Sequence, residues 1–124
     1  MPETKKILIL DDEPEILELL QHLLGKQYIV HTRNNITDFE KDLHEFRPNL
    51  LLIDHFLGDD TSNELICQSL DKLNIPFILH SAHEEIEKLS KESNAAAFIK
   101  KPSSIAEIRK CVARVLGEIK DKNQ

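Results

Sequence analysis

Residues 7–12 have the sequence Ile-Leu-Ile-Leu-Asp-Asp, a continuous apolar run that ends at two acidic residues. A short run without polar alternation is typical of a strand buried on both faces, as parallel strands between two helical layers are. The run is too short for a bilayer span or for the apolar part of a secretory signal. The stretch therefore predicts an interior strand with two carboxylates at its carboxyl end.

The rest of the chain repeats this pattern in alternation with amphipathic helices. Further apolar runs predict strands at residues 28–32, 50–53, 77–80 and 96–99. Apolar residues at helical spacing predict helices at residues 14–24, 36–46, 65–73, 86–89 and 105–116. Strict alternation of strands and helices predicts an α/β fold, a doubly wound parallel sheet with right-handed crossovers and helices on both faces.

Short sequence motifs predict where some of the helices begin and end. Thr37 with Glu40, and Ser104 with Glu107, have the spacing of capping boxes and predict the starts of the second and fifth helices. The third helix is predicted from its apolar residues and is expected to end before Pro76; these residues are Leu65, Ile66, Leu70 and Leu73.

Composition favours one small globular domain over residues 1–124, with a polar tail from about residue 120. Hydrophobic residues make up 40% and charged residues 31% of the chain. The net charge of −6 and the scattered Lys and Arg argue against direct nucleic-acid binding. Cys67 and Cys111 lack a metal or redox spacing and are expected to be reduced structural thiols. We therefore expect a cytoplasmic protein that does not contact a membrane.

Chemically active side chains follow four of the predicted strands, where open parallel sheets bind their ligands. These residues are Asp11, Asp12, Asp54, Ser81 and the pair Lys100-Lys101 before Pro102. Clustered carboxylates repel one another unless a cation intervenes, and Mg²⁺ prefers such hard oxygen ligands. A carboxylate nucleophile, Mg²⁺ and a lysine together offset the charge of a transferring phosphoryl group. The pattern therefore predicts phosphoryl chemistry at this edge.

The order Asp-Asp, Asp, Ser-Ala, Lys-Pro, with each piece after an apolar strand, resembles the response regulator receiver domain of two-component signalling. The resemblance runs from about Ile7 to Leu116. It implies a flavodoxin-like (βα)5 sheet with strand order 2-1-3-4-5. It also implies a signalling phosphoacceptor, which catalyses only its own phosphorylation and dephosphorylation, rather than an enzyme with a separate substrate.

The resemblance also implies roles for individual residues. Asp54 matches the phosphoacceptor, and Lys101, immediately before the proline, matches the invariant lysine of the family. Asp11 and Asp12 match the acidic pair that holds Mg²⁺ or Mn²⁺ together with Asp54. Phe56 matches the position that lends a backbone carbonyl to the same metal.

Switching roles are implied in the same way. Ser81 matches the hydroxyl that moves toward the phosphoryl group, and Phe98 occupies the position of the rotating aromatic. Phe56 and His83 occupy positions that tune the lifetime of the phosphoryl group. A bulky Phe56 is expected to shield an aspartyl phosphate from water.

Some residues depart from the family pattern. Gly58 stands where the family has proline and Ser62 where it has glycine, which predicts a differently shaped loop after Asp54. Asn94 precedes the fifth strand where the family prefers glycine. Since Asn is the next best residue for a left-handed helix end, this exchange is conservative.

Other functions and simpler explanations compete with this interpretation. Asp11 and Asp12 can serve merely as helix caps. A phosphohydrolase of the haloacid-dehalogenase type uses an Asp nucleophile, Mg²⁺ and a lysine, but needs a second Asp where this chain has Phe56. A pseudo-receiver, used only for protein binding, would have lost the nucleophile, the acid pair or the lysine.

The resemblance implies partners as classes only. A histidine kinase or a histidine phosphotransfer protein would supply the phosphoryl group. The switching face would be formed by the fourth helix, fifth strand and fifth helix, and it would bind a target or a second copy of the chain. The 124 residues leave open whether the chain is a stand-alone receiver or part of a longer regulator with an output domain.

Overall fold

The computed structural model describes residues 4–54 and 60–118, with the backbone alone described for residues 60–64. Strands and helices alternate along these ranges, as the apolar runs predict. The strands are β1 (Lys6–Leu10), β2 (Ile29–Arg33), β3 (Leu50–Ile53), β4 (Phe77–Ser81) and β5 (Ala97–Lys100). The helices are α1 (Pro14–Leu24), α2 (Phe39–Phe46), α3 (Asp60–Leu73), α4 (Ile86–Ser93) and α5 (Ile105–Val115).

The five strands form one parallel sheet in the order β2-β1-β3-β4-β5, which confirms the predicted fold class and strand order. Strand β1 pairs with both β2 and β3, so Leu8 lies opposite His31 on one side and Leu51 on the other. The chain therefore reverses its direction of winding between β1 and β3. A crevice at such a switch point is where doubly wound sheets bind ligands.

The central strands are apolar on both faces because helices cover both faces. One cluster packs Ile7, Ile9, Leu50, Leu52 and Ile78 against α1 and α5. The other packs Leu8, Leu10, Leu51 and Ile53 with residues of α2, α3 and α4. Complete burial of such a side chain contributes roughly 1.5–3 kcal/mol, so the sheet interior holds the strand ends in fixed positions. None of the described helices is long and apolar enough to cross a bilayer.

The two predicted capping boxes have different outcomes. Ser104 caps α5, because its Oγ accepts the Glu107 N–H at 3.1 Å. The prediction at Thr37 is wrong, since α2 begins at Phe39 and its N-cap is Asp38. The N–H of Thr37 instead donates to the side chain of Asn35 at 3.0 Å, so a local turn competes with the helix start.

The predicted apolar face of α3 is only partly buried. Ile66 and Leu70 are 4% and 0% exposed, but Leu65 and Leu73 are 59% and 42% exposed. A helix has 3.6 residues per turn, so an apolar set that includes both 65 and 66 is wider than the stripe that touches the sheet. The predicted helix is confirmed, and Leu65 and Leu73 lie outside its buried stripe.

The end of α4 confirms the conservative exchange at Asn94. This residue is the C-cap of α4 and has a left-handed backbone with φ 64°. The N–H of the next residue, Ala95, bonds back to the carbonyl of Ser90 at 2.9 Å. Asn94 thus makes the turn from α4 into β5 that glycine would otherwise make.

We expect the Leu70→Ala substitution to destabilise the protein by about 2–5 kcal/mol, because it opens a cavity at a fully buried position. The matched substitution Leu65→Ala, on the same helix but 59% exposed, should change stability by less than about 0.5 kcal/mol. Urea unfolding followed by circular dichroism measures both. Equal losses in the two variants would contradict the packing of α3 described above.

Candidate functional site

Backbone hydrogen bonds extend the sheet by one residue and fix the groups that follow the strands. The N–H of Asp11 donates to the last carbonyl of β2 at 3.2 Å, and that of Asp54 donates to Leu10 at 2.8 Å. The N–H of Lys101 donates to the Ser81 carbonyl at 2.9 Å. These side chains therefore emerge from ordered backbone at one edge of the sheet.

The side chain of Lys101 crosses this edge to a group of carboxylates. Its Nζ lies 2.9 Å from Asp11 Oδ2, 3.6 Å from Asp54 Oδ2 and 3.6 Å from Glu13 Oε1. Asp11 and Asp54 are buried and Lys101 is partly buried, with side chains 2%, 4% and 14% exposed. The structure thus brings together residues that are far apart in the sequence, since Asp11 and Lys101 are separated by 90 positions.

The charge state of Lys101 follows from this setting. Burial is the largest single influence on its pKa and lowers it, since it disfavours the ammonium form. The hydrogen bond to Asp11 and the charges of Asp11, Asp54 and Glu13 together outweigh burial, so the pKa is raised. Lys101 therefore stays an ammonium at neutral pH and supplies a fixed positive charge.

The carboxylates satisfy the requirements of a hard divalent cation. Asp11, Asp12, Glu13 and Asp54 each offer an oxygen, and these oxygens all lie within 4.8 Å of one another. Asp12 and Glu13 are exposed, so the cluster opens to solvent on one side. Mg²⁺ is held by one or two carboxylates with water in its other positions, and Mn²⁺ accepts the same oxygen ligands. The residues present therefore fit either ion.

Ser81 ends β4 and is fully buried. Its Oγ accepts the N–H of His83 at 3.1 Å, and His83 Nδ1 in turn accepts the N–H of Glu85 at 3.0 Å. These bonds link the end of β4 to the residues that precede α4. The lifetime-tuning role of His83 stays a prediction.

Phe98 lies on β5 opposite Leu79 and is 38% exposed. An aromatic ring with this exposure is placed at the surface rather than in either core cluster. Its role as a switch stays a prediction.

The predicted metal carbonyl of Phe56 and the Gly58 departure lie outside the described residues. Ser62 falls in the first turn of α3, within the part for which only the backbone is described. The predicted change in loop shape and the shielding by Phe56 are therefore untested.

Sequence reasoning missed two residues near the site. Glu13 follows the acidic pair directly, and its N–H also donates to Asp11 Oδ1 at 2.9 Å, so its position in the chain was an available signal. His80 was expected to be an ordinary surface or core histidine. It is 4% exposed, and its Nε2 lies 3.2 Å from Ser103 Oγ in the loop that carries Lys101. A histidine in an apolar strand gives no sequence signal for this contact.

The pKa of His80 is lowered from 6.5 to about 4. Burial is the main cause, and the charge of Lys101 acts in the same direction, while Asp11 opposes them. His80 is therefore neutral in the folded protein near neutral pH.

Comparison with known proteins agrees with this geometry. Residues 7–113 match the response regulator receiver domain family, which covers both the central sheet and the charged edge. The chain belongs to this family, whose members act in two-component signalling.

Named relatives are bacterial regulators. The chain is 30% identical to the transcriptional regulatory protein KdpE of Staphylococcus aureus, over 96% of this chain and 52% of the relative. It is 33% identical to the alkaline phosphatase synthesis transcriptional regulatory protein PhoP of Bacillus subtilis, over 90% of this chain and 48% of the relative. The chain thus spans about half the length of these curated relatives.

A solved receiver shares both fold and sequence. The BeF3-activated N-terminal receiver domain of Klebsiella pneumoniae RstA superimposes with a TM-score of 0.78 at 26% identity, covering 90% of this chain and 98% of that one.

We expect His80 to make folding stability pH-dependent. The unfolded histidine binds a proton as the pH falls below 6.5, whereas the folded one resists protonation down to about 4. Above pH 6.5 the histidine is neutral in both states and costs the fold nothing. As the pH drops from 6.5 toward 4, the free energy of unfolding falls by about 3 kcal/mol.

Urea unfolding of the protein and of His80→Gln, at pH values from 7 to 4 with a chelator present, measures this dependence. The stability of the wild type should fall relative to that of His80→Gln as the pH falls, whereas the exposed control His22→Gln should run parallel to the wild type. Parallel curves for His80→Gln would contradict the burial of a neutral imidazole.

Proposed function

We propose that this chain is a phosphoacceptor receiver, which takes a phosphoryl group from a phosphohistidine onto Asp54 and changes its partner surface in response. The observation that carries the proposal is the position of Lys101 Nζ, 2.9 Å from the buried Asp11 and 3.6 Å from the buried Asp54. In this proposal a carboxylate nucleophile, a divalent-cation site and a lysine would act side by side, as phosphoryl transfer requires.

In the proposed reaction, a carboxylate oxygen of Asp54 forms a bond to phosphorus. The nitrogen–phosphorus bond to the donor histidine breaks, and its electron pair returns to the imidazole, which takes a proton from solvent. Asp11 and Asp12, with Asp54 and the Phe56 carbonyl, would hold Mg²⁺ or Mn²⁺. The bound ion supplies positive charge that offsets the charge of the phosphoryl oxygens.

The protein itself positions the reacting groups. The backbone bond from Asp54 to Leu10 fixes the nucleophile on the sheet, at 2.8 Å. Lys101 reaches the same carboxylate, so its ammonium can pair with an incoming phosphoryl oxygen without leaving the site. Covalent transfer therefore needs only small movements of groups that are already in place.

The proposed output surface is formed by α4, β5 and α5. Phe98 on β5 and Ile105 on α5 are 38% and 41% exposed there, so the surface has apolar area for a partner. Ser81 would donate a hydrogen bond to the phosphoryl group, and Phe98 would turn inward. These movements would raise the population of the conformation that binds the partner. The partner would be a downstream target, an output domain or a second copy of the chain.

The proposal extends to the setting of the protein. The donor would be a histidine kinase or a histidine phosphotransfer protein in the cytoplasm, and residues 1–124 would form one receiver domain. His83 and Phe56 would tune the phosphoryl lifetime. The protein would catalyse only its own phosphorylation and dephosphorylation.

We expect acetyl phosphate to label the protein in a Mg²⁺-dependent manner, and Asp54→Asn to abolish the label because it removes the nucleophile. The control Asp71→Asn, an exposed acid on α3, should be labelled like the wild type. Intact-protein mass spectrometry measures the added phosphoryl group.

Three outcomes would contradict the proposal. Label that survives Asp54→Asn would place the acceptor elsewhere. Absence of label on the wild type would favour a pseudo-receiver. Sustained turnover of small phosphate esters would favour a phosphohydrolase.

We expect Ser81→Ala to keep the label on Asp54 but to lose the response of α4 and β5, because the hydroxyl is proposed to couple the two. Amide NMR shifts around Phe98, before and after addition of beryllofluoride, measure that response. The conservative variant Ser81→Thr keeps a hydroxyl and should respond as the wild type does. A full response in Ser81→Ala would show that the coupling runs through another group.

A further inference from the structure

A buried histidine joins the strand that ends at Ser81 to the loop that carries Lys101. His80 lies on β4 opposite Ile99 of β5 and is 4% exposed. Its Nε2 lies 3.2 Å from Ser103 Oγ, which belongs to the loop between β5 and α5. Ser103 is two residues from Lys101, so this hydrogen bond anchors the same short loop.

The hydrogen bond to Ser103 is made by one nitrogen of the His80 ring, Nε2. Among the residues that the structure describes, His80 Nδ1 is buried and has no hydrogen-bond partner. A buried polar atom without a partner is destabilising, and an apolar residue of similar size would avoid that cost. Packing alone therefore does not explain a histidine at this position.

Other contacts hold the two ends of the loop. At its start, the N–H of Lys101 bonds to the Ser81 carbonyl at 2.9 Å. At its end, Ser104 Oγ accepts the N–H of Glu107 at 3.1 Å and begins α5. The hydrogen bond between Ser103 and His80 holds the middle of the loop, between the lysine and the helix cap.

We propose that His80 is a positioning residue for Lys101, acting through its hydrogen bond to Ser103. The bond ties the loop to β4 and so holds the ammonium at Asp11 and Asp54. The neutral state of the imidazole suits this role, because a second positive charge beside Lys101 would compete for the same carboxylates. The inference rests on the proposed function, since it assigns a task to the lysine of that site.

The test distinguishes an effect on the position of Lys101 from an effect on the metal ligands. Labelling by acetyl phosphate requires both the ammonium and the carboxylates, whereas Mg²⁺ affinity, measured by calorimetry, depends on the carboxylates. We expect Ser103→Ala and His80→Phe each to slow labelling by about three- to tenfold, the effect of one lost hydrogen bond. Mg²⁺ affinity should not fall, because no oxygen ligand is removed and the ammonium that competes for Asp11 and Asp54 is held less firmly.

Two matched variants control for general loosening of the loop. Ser103→Thr keeps the hydroxyl and should restore the labelling rate. Ser104→Ala removes the neighbouring hydroxyl that caps α5, so it should lower the thermal midpoint without slowing labelling to the same extent.

The inference is overturned if Ser103→Ala is labelled like the wild type, if Mg²⁺ affinity falls in parallel with labelling, or if Ser103→Thr fails to restore the rate. An equal loss of rate in Ser104→Ala would overturn it as well. Failure of the proposed function gives a different result, namely no Mg²⁺-dependent label on the wild type.

Discussion

The ammonium of Lys101 lies among carboxylates that the fold itself forces together. Asp11 and Glu13 follow β1, Asp54 follows β3, and the two strands are hydrogen-bonded neighbours. Two buried carboxylates this close repel each other unless positive charge offsets them. The lysine comes from the far side of the sheet, after β5, so the strand order must be correct before the charges can balance. The charge of the carboxylates is therefore balanced only in the correctly folded sheet, and the fold in turn depends on that balance.

The sequence could predict those features that follow from burial on two faces. A strand between two helical layers must be apolar throughout, so a run such as Ile7 to Leu10 marks its length and the first acid marks its end. Because parallel strands all end at one edge, the polar residues after each run had to converge there. This reasoning placed Asp11, Asp54, Ser81 and Lys101 at one edge without any knowledge of distances.

Features that depend on contacts across the molecule could not be predicted in this way. The apolar pattern of α3 gave no means to separate the buried Leu70 from the exposed Leu65, because the width of the covered stripe is set by the sheet. The Thr37 spacing fitted a capping box, yet the Asn35 side chain bonds to the Thr37 N–H. His80 illustrates the same limit, since its partner Ser103 is 23 residues away and belongs to another element.

The bond from the His83 N–H to Ser81 Oγ bears on how the site and the output surface are coupled. A hydroxyl has one hydrogen to donate and two lone pairs that accept, so acceptance from His83 leaves the Ser81 hydrogen available for a phosphoryl oxygen. Any shift of this hydroxyl toward a phosphoryl group must then stretch the bond to His83 or move the backbone of His83 with it. Since the N–H of Glu85 donates to the His83 ring, that movement reaches the N-cap of α4. The coupling proposed for Ser81 therefore has a physical route through two hydrogen bonds.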